Sequence, residues 1–210
     1  MYEKILDFET DKIKNLVFDV GGVLIGYRWE EMFEDYGLDK ISAEKIGKGI
    51  FDSKEWPMFD AGLISLEETI ESFCNRNPDL AKPARWFIDN AIKMRVPRER
   101  LWKELRRLKE KGYRIYLLSN YSKVLFDLHT SGYDFMNIID GKVVSYEVNS
   151  LKPEEKIYKT LFERYNLKEE ECVFFDDRPC NVEMGKKLGM EGIVVKDQSE
   201  QFLISVLEHF

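Results

Sequence analysis

The stretch VFDVGGVL, Val17–Leu24, decides the fold of this chain. A short, continuously apolar run meets Asp19, continues for one residue and then passes through Gly21 and Gly22. Continuously apolar runs are typical of strands that are buried on both faces of a parallel sheet. A carboxylate at the end of such a strand, followed by backbone without side chains, predicts a functional site at the carboxyl edge of the sheet.

Further apolar runs of the same kind follow along the chain, with helical patterns between them. The predicted strands are Asn15–Val20, Tyr113–Asn120, Glu171–Asp177 and Gly192–Val195, with a weaker candidate around residues 137–145. Leu101, Leu105 and Leu108 share one face of a predicted helix that ends before the next glycine. Alternating strands and helices indicate right-handed βαβ units. We therefore predict an α/β fold with a Rossmann-like, doubly wound parallel sheet as its core.

One segment interrupts this alternation. Between Tyr27 and Arg95 the sequence has helical patterns and no convincing strand. The motif SLEE, Ser65–Glu68, has the pattern of a capping box and predicts the start of a helix. The apolar face of a second predicted helix consists of Phe87, Ile88, Ala91 and Ile92. The predicted domains are an α/β core, residues 1–26 and 96–210, and an inserted helical cap, residues 27–95.

Composition restricts the class of protein. The 210 residues carry a net charge of −7, and 44% of them are hydrophobic, which suits a globular domain with a substantial core. The acidic balance argues against a nucleic-acid partner. No run approaches the ~18 apolar residues of a membrane span, and the charged first 14 residues lack the apolar stretch of a signal peptide. We expect a cytoplasmic protein without a membrane partner, either a monomer or a weak homodimer.

Polar residues stand where the predicted strands end. They are Asp19, Ser119, Asn120, Asp176 and Asp177, with Lys152 in the loop before Pro153 and Asn181 at the start of the next helix. Aspartate can act as a nucleophile that forms an aspartyl-phosphate, and carboxylate and carbonyl oxygens suit magnesium. Hydroxyl and ammonium groups can hold phosphate oxygens. Because two adjacent carboxylates repel each other without a cation, the set predicts a metal-assisted phosphoryl-transfer site.

In order and context, these stretches resemble the motifs of the haloacid dehalogenase superfamily, in its phosphatase-like branch with a helical (C1-type) cap. The similar stretches are VFDVGGVL at 17–24, LLSN at 117–120, LKPEEKIY at 151–158 and VFFDDRPCNVEMGKKLGM at 173–190, with EWPMFDAGLISLEE at 55–68 in the cap. The resemblance implies a hydrolase that uses Mg²⁺. Its implied substrate is a small phosphate ester, such as a sugar phosphate.

The resemblance also implies a role for each matching residue. Asp19 would be the nucleophile, with Ser119 and Lys152 as the other catalytic residues. The phosphate group would be bound by Val20, Gly21, Ser119, Asn120 and Lys152. The magnesium ligands would be Asp19, the Gly21 carbonyl, Asp177 and Asp176. Asp176 would bind the ion through water or orient Lys152, and Asn181 would brace the last loop.

Gly21 departs from the pattern of the family. Phosphatases of this superfamily usually have a second aspartate at this position, which protonates the leaving group and then activates water. The chain could be a phosphatase for easier leaving groups or with an acid from the cap, a 2-haloacid dehalogenase, or a non-catalytic module that binds a phosphorylated ligand. The acidic pair favours the phosphatase, since a dehalogenase does not use magnesium. The helical insert argues against a fourth possibility, a receiver-like phosphorylation switch.

Overall fold

The structure is a computed structural model that describes residue 6 and residues 8–210. The strands are Asn15–Phe18 (β1), Ile25–Tyr27 (β2), Arg95–Pro97 (β3), Arg114–Ser119 (β4), Gly141–Val144 (β5), Cys172–Asp176 (β6) and Glu191–Val194 (β7). Five of them form a parallel sheet in the order β5-β4-β1-β6-β7. The predicted parallel core is thereby confirmed. Residues 1–5 and 7, which belong to the predicted core and to the charged N-terminal stretch, lie outside the described residues.

Helices connect the strands and flank the sheet. They are Trp29–Tyr36 (α1), Lys40–Phe51 (α2), Glu55–Asp60 (α3), Leu66–Arg76 (α4), Ala81–Asp89 (α5), Glu99–Glu110 (α6), Lys123–Thr130 (α7), Ser145–Val148 (α8), Glu155–Tyr165 (α9), Pro179–Lys187 (α10) and Glu200–Leu207 (α11). Short 3₁₀ helices span Thr10–Lys12, Pro78–Leu80, Ala91–Met94, Asp134–Ile138, Glu169–Glu171 and Lys196–Gln198. Within the described part of the chain, no helix has the length and apolarity that crossing a membrane requires.

The central strands bury both of their faces. In β1, Leu16 and Phe18 enter an apolar cluster with α6, α7 and α11, whereas Val17 enters a second cluster with α9 on the opposite side. All three side chains are fully buried. This is the reason for the continuously apolar strand sequences, because alternation of polar and apolar residues requires one face in water.

Five helices, α1–α5, follow β2. Buried residues of α1, α2, α4 and α5 form an apolar cluster around Phe33, Phe73 and Phe87, whereas Phe59 of α3 belongs to the core cluster of the sheet. The capping box at Ser65 and Glu68 is present at the start of α4, with the two residues bonded reciprocally, as predicted. The prediction of one helical face through Ile92 was wrong. Helix α5 ends at residue 89, a 3₁₀ turn follows, and Ile92 is exposed.

Two short strands join the helical segment to the sheet. Strands β2 and β3 pair antiparallel, with Tyr27 opposite Arg95. The sequence contained no convincing strand here, because three-residue strands are too short to show a period. The chain therefore leaves and re-enters the parallel core at adjacent points.

A buried arginine ties this junction to the loop after β1. Arg98 follows β3 and is 8% exposed. Its guanidinium donates to the carbonyls of Gly22 at 3.0 Å, Val23 at 2.7 Å and Gln198 at 2.7 Å. Planar guanidinium groups present several donors in a fixed geometry, so one side chain satisfies three backbone acceptors from two loops.

We expect Arg98→Ala to destabilise the protein, because it removes the donors to three backbone carbonyls. An unsatisfied buried acceptor costs about 1–3 kcal/mol, and urea-induced unfolding measures the loss. Arg100→Ala is the matched control, since among residues 6 and 8–210 the Arg100 side chain bonds only to the exposed side chain of Gln201. Equal unfolding free energies for the two variants would contradict the assigned role of Arg98.

Candidate active site

The parallel register brings three strand ends together. Asp19 directly follows β1, and its N–H donates to the Phe175 carbonyl of β6 at 2.9 Å. Ser119 is the last residue of β4, and its hydroxyl donates to Asp19 Oδ1 at 2.6 Å. Asp176 ends β6. All three side chains are buried or nearly so. The carboxyl edge of the sheet therefore carries a polar cluster, as the sequence predicted.

Lys152 lies at the centre of this cluster. Its ammonium donates to Asp176 Oδ2 at 2.6 Å and to the Leu118 carbonyl at 2.8 Å, and it lies 3.0 Å from Asp19 Oδ1. The residue is 3% exposed. Burial lowers the pKa of Lys152, but the charges of Asp176 and Asp19 outweigh that effect and raise it. The ammonium is therefore a permanent positive charge inside the site.

Asn120 holds the backbone that carries Lys152. Its side-chain amide donates to the Lys152 carbonyl at 2.9 Å and accepts from the Lys152 N–H at 2.7 Å. The side chain of Asn120, which we predicted to contact phosphate, is thus engaged with the neighbouring loop.

The two adjacent acids have different surroundings. Asp176 accepts hydrogen bonds from Lys152, from the Arg178 N–H and from Asn181 Nδ2, which reaches both of its oxygens at 3.0 and 3.1 Å. Asp177 is more open, and its Oδ2 accepts from Gln198 at 2.8 Å. Burial, with help from Asp176, raises the pKa of Asp177.

Asp19, Asp176 and Asp177 each have one carboxylate oxygen within 4.8 Å of an oxygen of the other two. Burial raises the pKa of Asp19; Lys152 opposes this shift, and Asp176 and Asp177 add to it. Three carboxylates this close strongly favour a cation, because each raises the cost of ionising the others. The cluster has the composition of a divalent-metal site.

The loop after Asp19 is tightly organised. The Val20 N–H donates to Asp19 Oδ1 at 2.7 Å, while the Val20 side chain is fully buried. Gly22 N–H donates to the Ile25 carbonyl, and Ile25 N–H donates to the Val20 carbonyl. These bonds turn the chain at Gly21 and bring its backbone alongside the cluster.

Tyr27 fills the space beside Gly21. A Cβ atom built on Gly21 would overlap the Tyr27 hydroxyl and lie 3.0 Å from ring atom Cε2. In the sequence, backbone without side chains after Asp19 predicts a functional site at this edge of the sheet. The structure adds a reason for glycine at position 21, which is that a tyrosine from β2 occupies the place of a side chain.

A chain of hydrogen bonds leads away from Tyr27 into the core. The Tyr27 hydroxyl bonds to the Tyr121 hydroxyl, which bonds to His129 Nδ1 at 2.6 Å, and His129 Nε2 bonds to the Ala91 carbonyl at 2.9 Å. Burial lowers the pKa of the His129 imidazole to about 4, with the bond to Ala91 opposing it. None of these residues belongs to a sequence motif, although Tyr121 directly follows the LLSN motif.

A cavity of about 880 Å³ opens over the cluster. Asp19, Gly21, Tyr27, Lys152 and Asp177 line it from the core side, and Asp60 lines it from the helical segment. Burial raises the pKa of Asp60 to about 7, the Ser122 N–H opposes this shift, and the charge of Asp19 adds to it. Sequence reasoning missed Asp60. The only signal was its position at the end of the WPMFD stretch in the predicted cap.

Comparison with known proteins assigns the family. Residues 13–189 match the model of the haloacid dehalogenase-like hydrolases. The chain belongs to this family of hydrolases. The sesquiterpene phosphatase of Aspergillus oryzae is 26% identical over 189 residues, which are 88% of this chain and 90% of that protein. The D-ribitol-5-phosphate phosphatase of Bacteroides thetaiotaomicron is 24% identical over 211 residues, covering 85% and 90%.

Solved structures show the same architecture. A haloacid dehalogenase family enzyme of Bacteroides thetaiotaomicron, crystallised with magnesium and inorganic phosphate, matches with a TM-score of 0.68 and 26% identity over 87% of this chain and 93% of that one. A dehalogenase matches with a TM-score of 0.73 but only 15% identity, over 93% and 97%. At that identity the likeness concerns the fold alone.

We expect Gly21→Ala to destabilise the protein by about 1–3 kcal/mol, because the new methyl group overlaps the Tyr27 hydroxyl and forces it from its place. Gly185→Ala is the control. Its Cβ would lie 3.4 Å from Phe174 Cδ1, an ordinary contact, inside helix α10, where alanine is favoured over glycine by about 0.5–1 kcal/mol. Thermal unfolding compares the two, and equal shifts would contradict the close contact.

The pKa of Asp60 predicts a pH-dependent cost in stability. Its pKa of about 7 in the folded protein exceeds the usual aspartate value of 3.8, so its contribution to stability is fully present below about pH 4 and is lost as the pH rises through 7. The loss amounts to at most about 4 kcal/mol. We therefore expect Asp60→Asn to match the wild type at pH 4 and to be more stable at pH 8, as measured by urea unfolding with chelator present. A constant difference across this range would contradict the pKa shift.

Proposed function

We propose that this chain is a magnesium-dependent phosphatase that hydrolyses a small phosphorylated metabolite through an aspartyl-phosphate on Asp19. The observation that carries the proposal is the convergence of three carboxylates, within 4.8 Å, next to a buried lysine and a serine hydroxyl. Phosphoryl transfer to a carboxylate requires a metal-binding group of carboxylates and a set of phosphate-binding groups. Here the two share one aspartate, Asp19.

The donor set fits a magnesium ion. Asp19 Oδ2 and Asp177 Oδ1 receive no hydrogen bond from the described residues, so both oxygens are available as ligands. The Gly21 carbonyl, at the turn of the loop, would be the third magnesium ligand that the protein supplies. Asp176 already accepts from Lys152, Asn181 and the Arg178 N–H, which supports a role in orienting Lys152 rather than direct ligation. Magnesium, when bound, would neutralise charge on the phosphoryl group.

The groups on Asp19 Oδ1 indicate where the phosphate would lie. The Ser119 hydroxyl and the Lys152 ammonium both contact this oxygen. When a phosphoryl group arrives, they can turn to its oxygens and stabilise the charge that develops in the transition state. The Lys152 charge also favours the ionised form of Asp19, which is the form that attacks phosphorus.

Asn120 and Asn181 support these groups. Asn120 fixes the Lys152 backbone, and Asn181 fixes the Asp176 carboxylate. Asn120 can offer a phosphate its backbone N–H, as can Val20 and Gly21 once the ester displaces their present contacts. Backbone amides of a turn are suited to this task.

The helical segment, α1–α5, would act as the cap, with the domain boundaries predicted from the sequence at residues 26 and 95. It contributes Asp60 and aromatic side chains such as Trp56 to the cavity. A cavity of about 880 Å³ accommodates a small metabolite. The phosphatase relatives, one of which is named for ribitol 5-phosphate, support a phosphorylated sugar or sugar alcohol as substrate. We propose a monomer or a weak homodimer as the active form.

The two alternative functions have less support. A haloacid dehalogenase does not need a metal-binding site. Without a cation, three carboxylates within 4.8 Å of one another would repel each other when ionised. A non-catalytic module would not need the nucleophile. Asp19 keeps its position between Ser119 and Lys152, which supports a working enzyme.

The test is hydrolysis of a panel of phosphate esters by the purified protein. We expect turnover of 4-nitrophenyl phosphate and of small sugar phosphates that requires magnesium and stops with chelator, because the acid cluster needs a hard cation. Asp19→Asn should abolish turnover, since an amide cannot form the covalent intermediate. Asp177→Asn should raise the magnesium concentration needed for half-maximal rate. Consumption of 2-haloacids in the presence of chelator would contradict the proposal.

A further inference from the structure

With glycine at position 21, the proposed phosphatase has no proton donor where its family usually places one. The leaving alkoxide of a sugar phosphate needs a proton as its bond to phosphorus breaks, and the attacking water must later lose one. The donor must be a titratable group that reaches the cavity above Asp19. The titratable residues that line this cavity include Tyr27, Tyr121, Asp60, Lys152 and Asp177. Two others line it as well: Asp52, which is exposed to solvent at the end of α2, and Arg178, whose guanidinium does not give up a proton.

Tyr27 is the nearest group to Gly21, but its hydrogen is already donated to the Tyr121 hydroxyl. The Ala91 carbonyl can only accept, so His129 Nε2 must carry a hydrogen. In the neutral imidazole, Nδ1 is then an acceptor, and the Tyr121 hydroxyl must donate to it. Tyr121 oxygen in turn accepts from the Tyr27 hydroxyl. Tyr27 therefore presents lone pairs to the cavity.

This direction of donation, from Tyr27 to Tyr121 to His129, persists at neutral pH. Reversing the chain would require a second proton on His129, and burial holds the pKa of this histidine near 4. Burial also raises the pKa of Tyr121 well above its usual value, so its hydroxyl stays neutral. Tyr27 can accept a hydrogen bond from substrate or water, but it cannot supply the proton.

Lys152 and Asp177 are also committed elsewhere. The Lys152 ammonium directs its three hydrogens to Asp176, Asp19 and the Leu118 carbonyl. Asp177 belongs to the acid cluster, where one of its oxygens lies within 4.8 Å of the other two carboxylates. Neither residue faces the leaving group as a proton donor.

Asp60 is the remaining candidate proton donor, and hydrogen bonds fix its position. Its Oδ1 accepts from the Ser122 N–H at 3.1 Å. The carbonyl of Asp60 accepts from the Ser145 hydroxyl, and the carbonyl of Ala61 accepts from Asn149 at 2.8 Å. Three bonds to the core thus anchor the end of α3. Asp60 Oδ2 receives no hydrogen bond from the described residues, and it belongs to a side chain that lines the cavity.

We infer that Asp60 is the general acid and base of this enzyme, in place of the missing aspartate at position 21. This inference rests on the proposed phosphatase function. As Asp19 attacks phosphorus, the bond to the leaving oxygen breaks, and that oxygen takes the proton of the Asp60 carboxyl. Water then attacks phosphorus, the bond to Asp19 breaks, and the Asp60 carboxylate takes the proton of the water. Inorganic phosphate leaves, and Asp60 is protonated again.

The surroundings of Asp60 suit both half-reactions. Burial raises the pKa of Asp60 to about 7, the Ser122 N–H opposes this shift, and the charge of Asp19 adds to it. At neutral pH the carboxyl is therefore populated in both protonation states, which is the condition for an efficient acid and base. An exposed aspartate with its ordinary pKa would be a poor acid at this pH.

The test is Asp60→Asn, assayed in the first turnover as well as in the steady state. The amide keeps an acceptor for the Ser122 N–H but cannot donate or accept the catalytic proton. With magnesium, release of 4-nitrophenolate in the first turnover should be unchanged, because this leaving group departs as an anion. The following steady rate should fall by about 10²–10⁴-fold, giving a burst of one nitrophenolate per active site. With ribitol 5-phosphate, even the first turnover should slow by about 10²–10⁴-fold.

Asp52→Asn is the matched control, since Asp52 lines the same cavity from the helical segment. It should show no burst and no change in the ratio of the two first-turnover rates. Asp60→Ala replaces Asp60→Asn if the latter does not fold, with the same expectation. Equal slowing of both esters in the first turnover, or an unchanged rate with both, would overturn the role of Asp60 while leaving the phosphatase intact. No turnover of any ester by the wild type would overturn the proposed function and this inference with it.

Discussion

The buried Lys152 ammonium is the interaction on which the rest of the site depends. It pairs with Asp176 at 2.6 Å and lies 3.0 Å from Asp19 Oδ1, all three side chains being buried or nearly so, and its charge opposes the rise in the pKa of Asp19 that burial causes. Removing one partner of such a group leaves an uncompensated charge, at a cost of about 3–5 kcal/mol. The polar residues around it, Asn120 on its backbone and Asn181 on its counter-ion, keep the group in register with the strand ends.

Much of this arrangement could be predicted from the sequence, since it follows from the parallel sheet. Asp19, Ser119 and Asp176 each stand at the end of an apolar strand, and strands β1, β4 and β6 are neighbours. Because these parallel strands are neighbours, the side chains at their carboxyl ends lie close together. Local rules were equally reliable where they involve few residues, as with the capping box that opens α4.

The residues that sequence reasoning missed come together only through tertiary packing. Asp60 lies in the short helix α3, Tyr27 in the three-residue strand β2 and His129 in helix α7. These elements are far apart in the chain, and no sequence periodicity links the three residues. Gly21 was the one visible signal. A missing side chain beside a nucleophile means that another group occupies the space, but the sequence alone does not identify Tyr27 as that group.

The anchoring of α3 limits how the active site exchanges its contents with solvent. The helical segment joins the core at β2 and β3, which form one natural hinge line, but the bonds to Ser122, Ser145 and Asn149 lie away from it. A swing about the hinge must break all three. At about 1 kcal/mol each, the swung-out form would make up roughly 1% of molecules. Under the proposed function, a metabolite would therefore enter mainly through the open mouth of the cavity, and its size would be selected there.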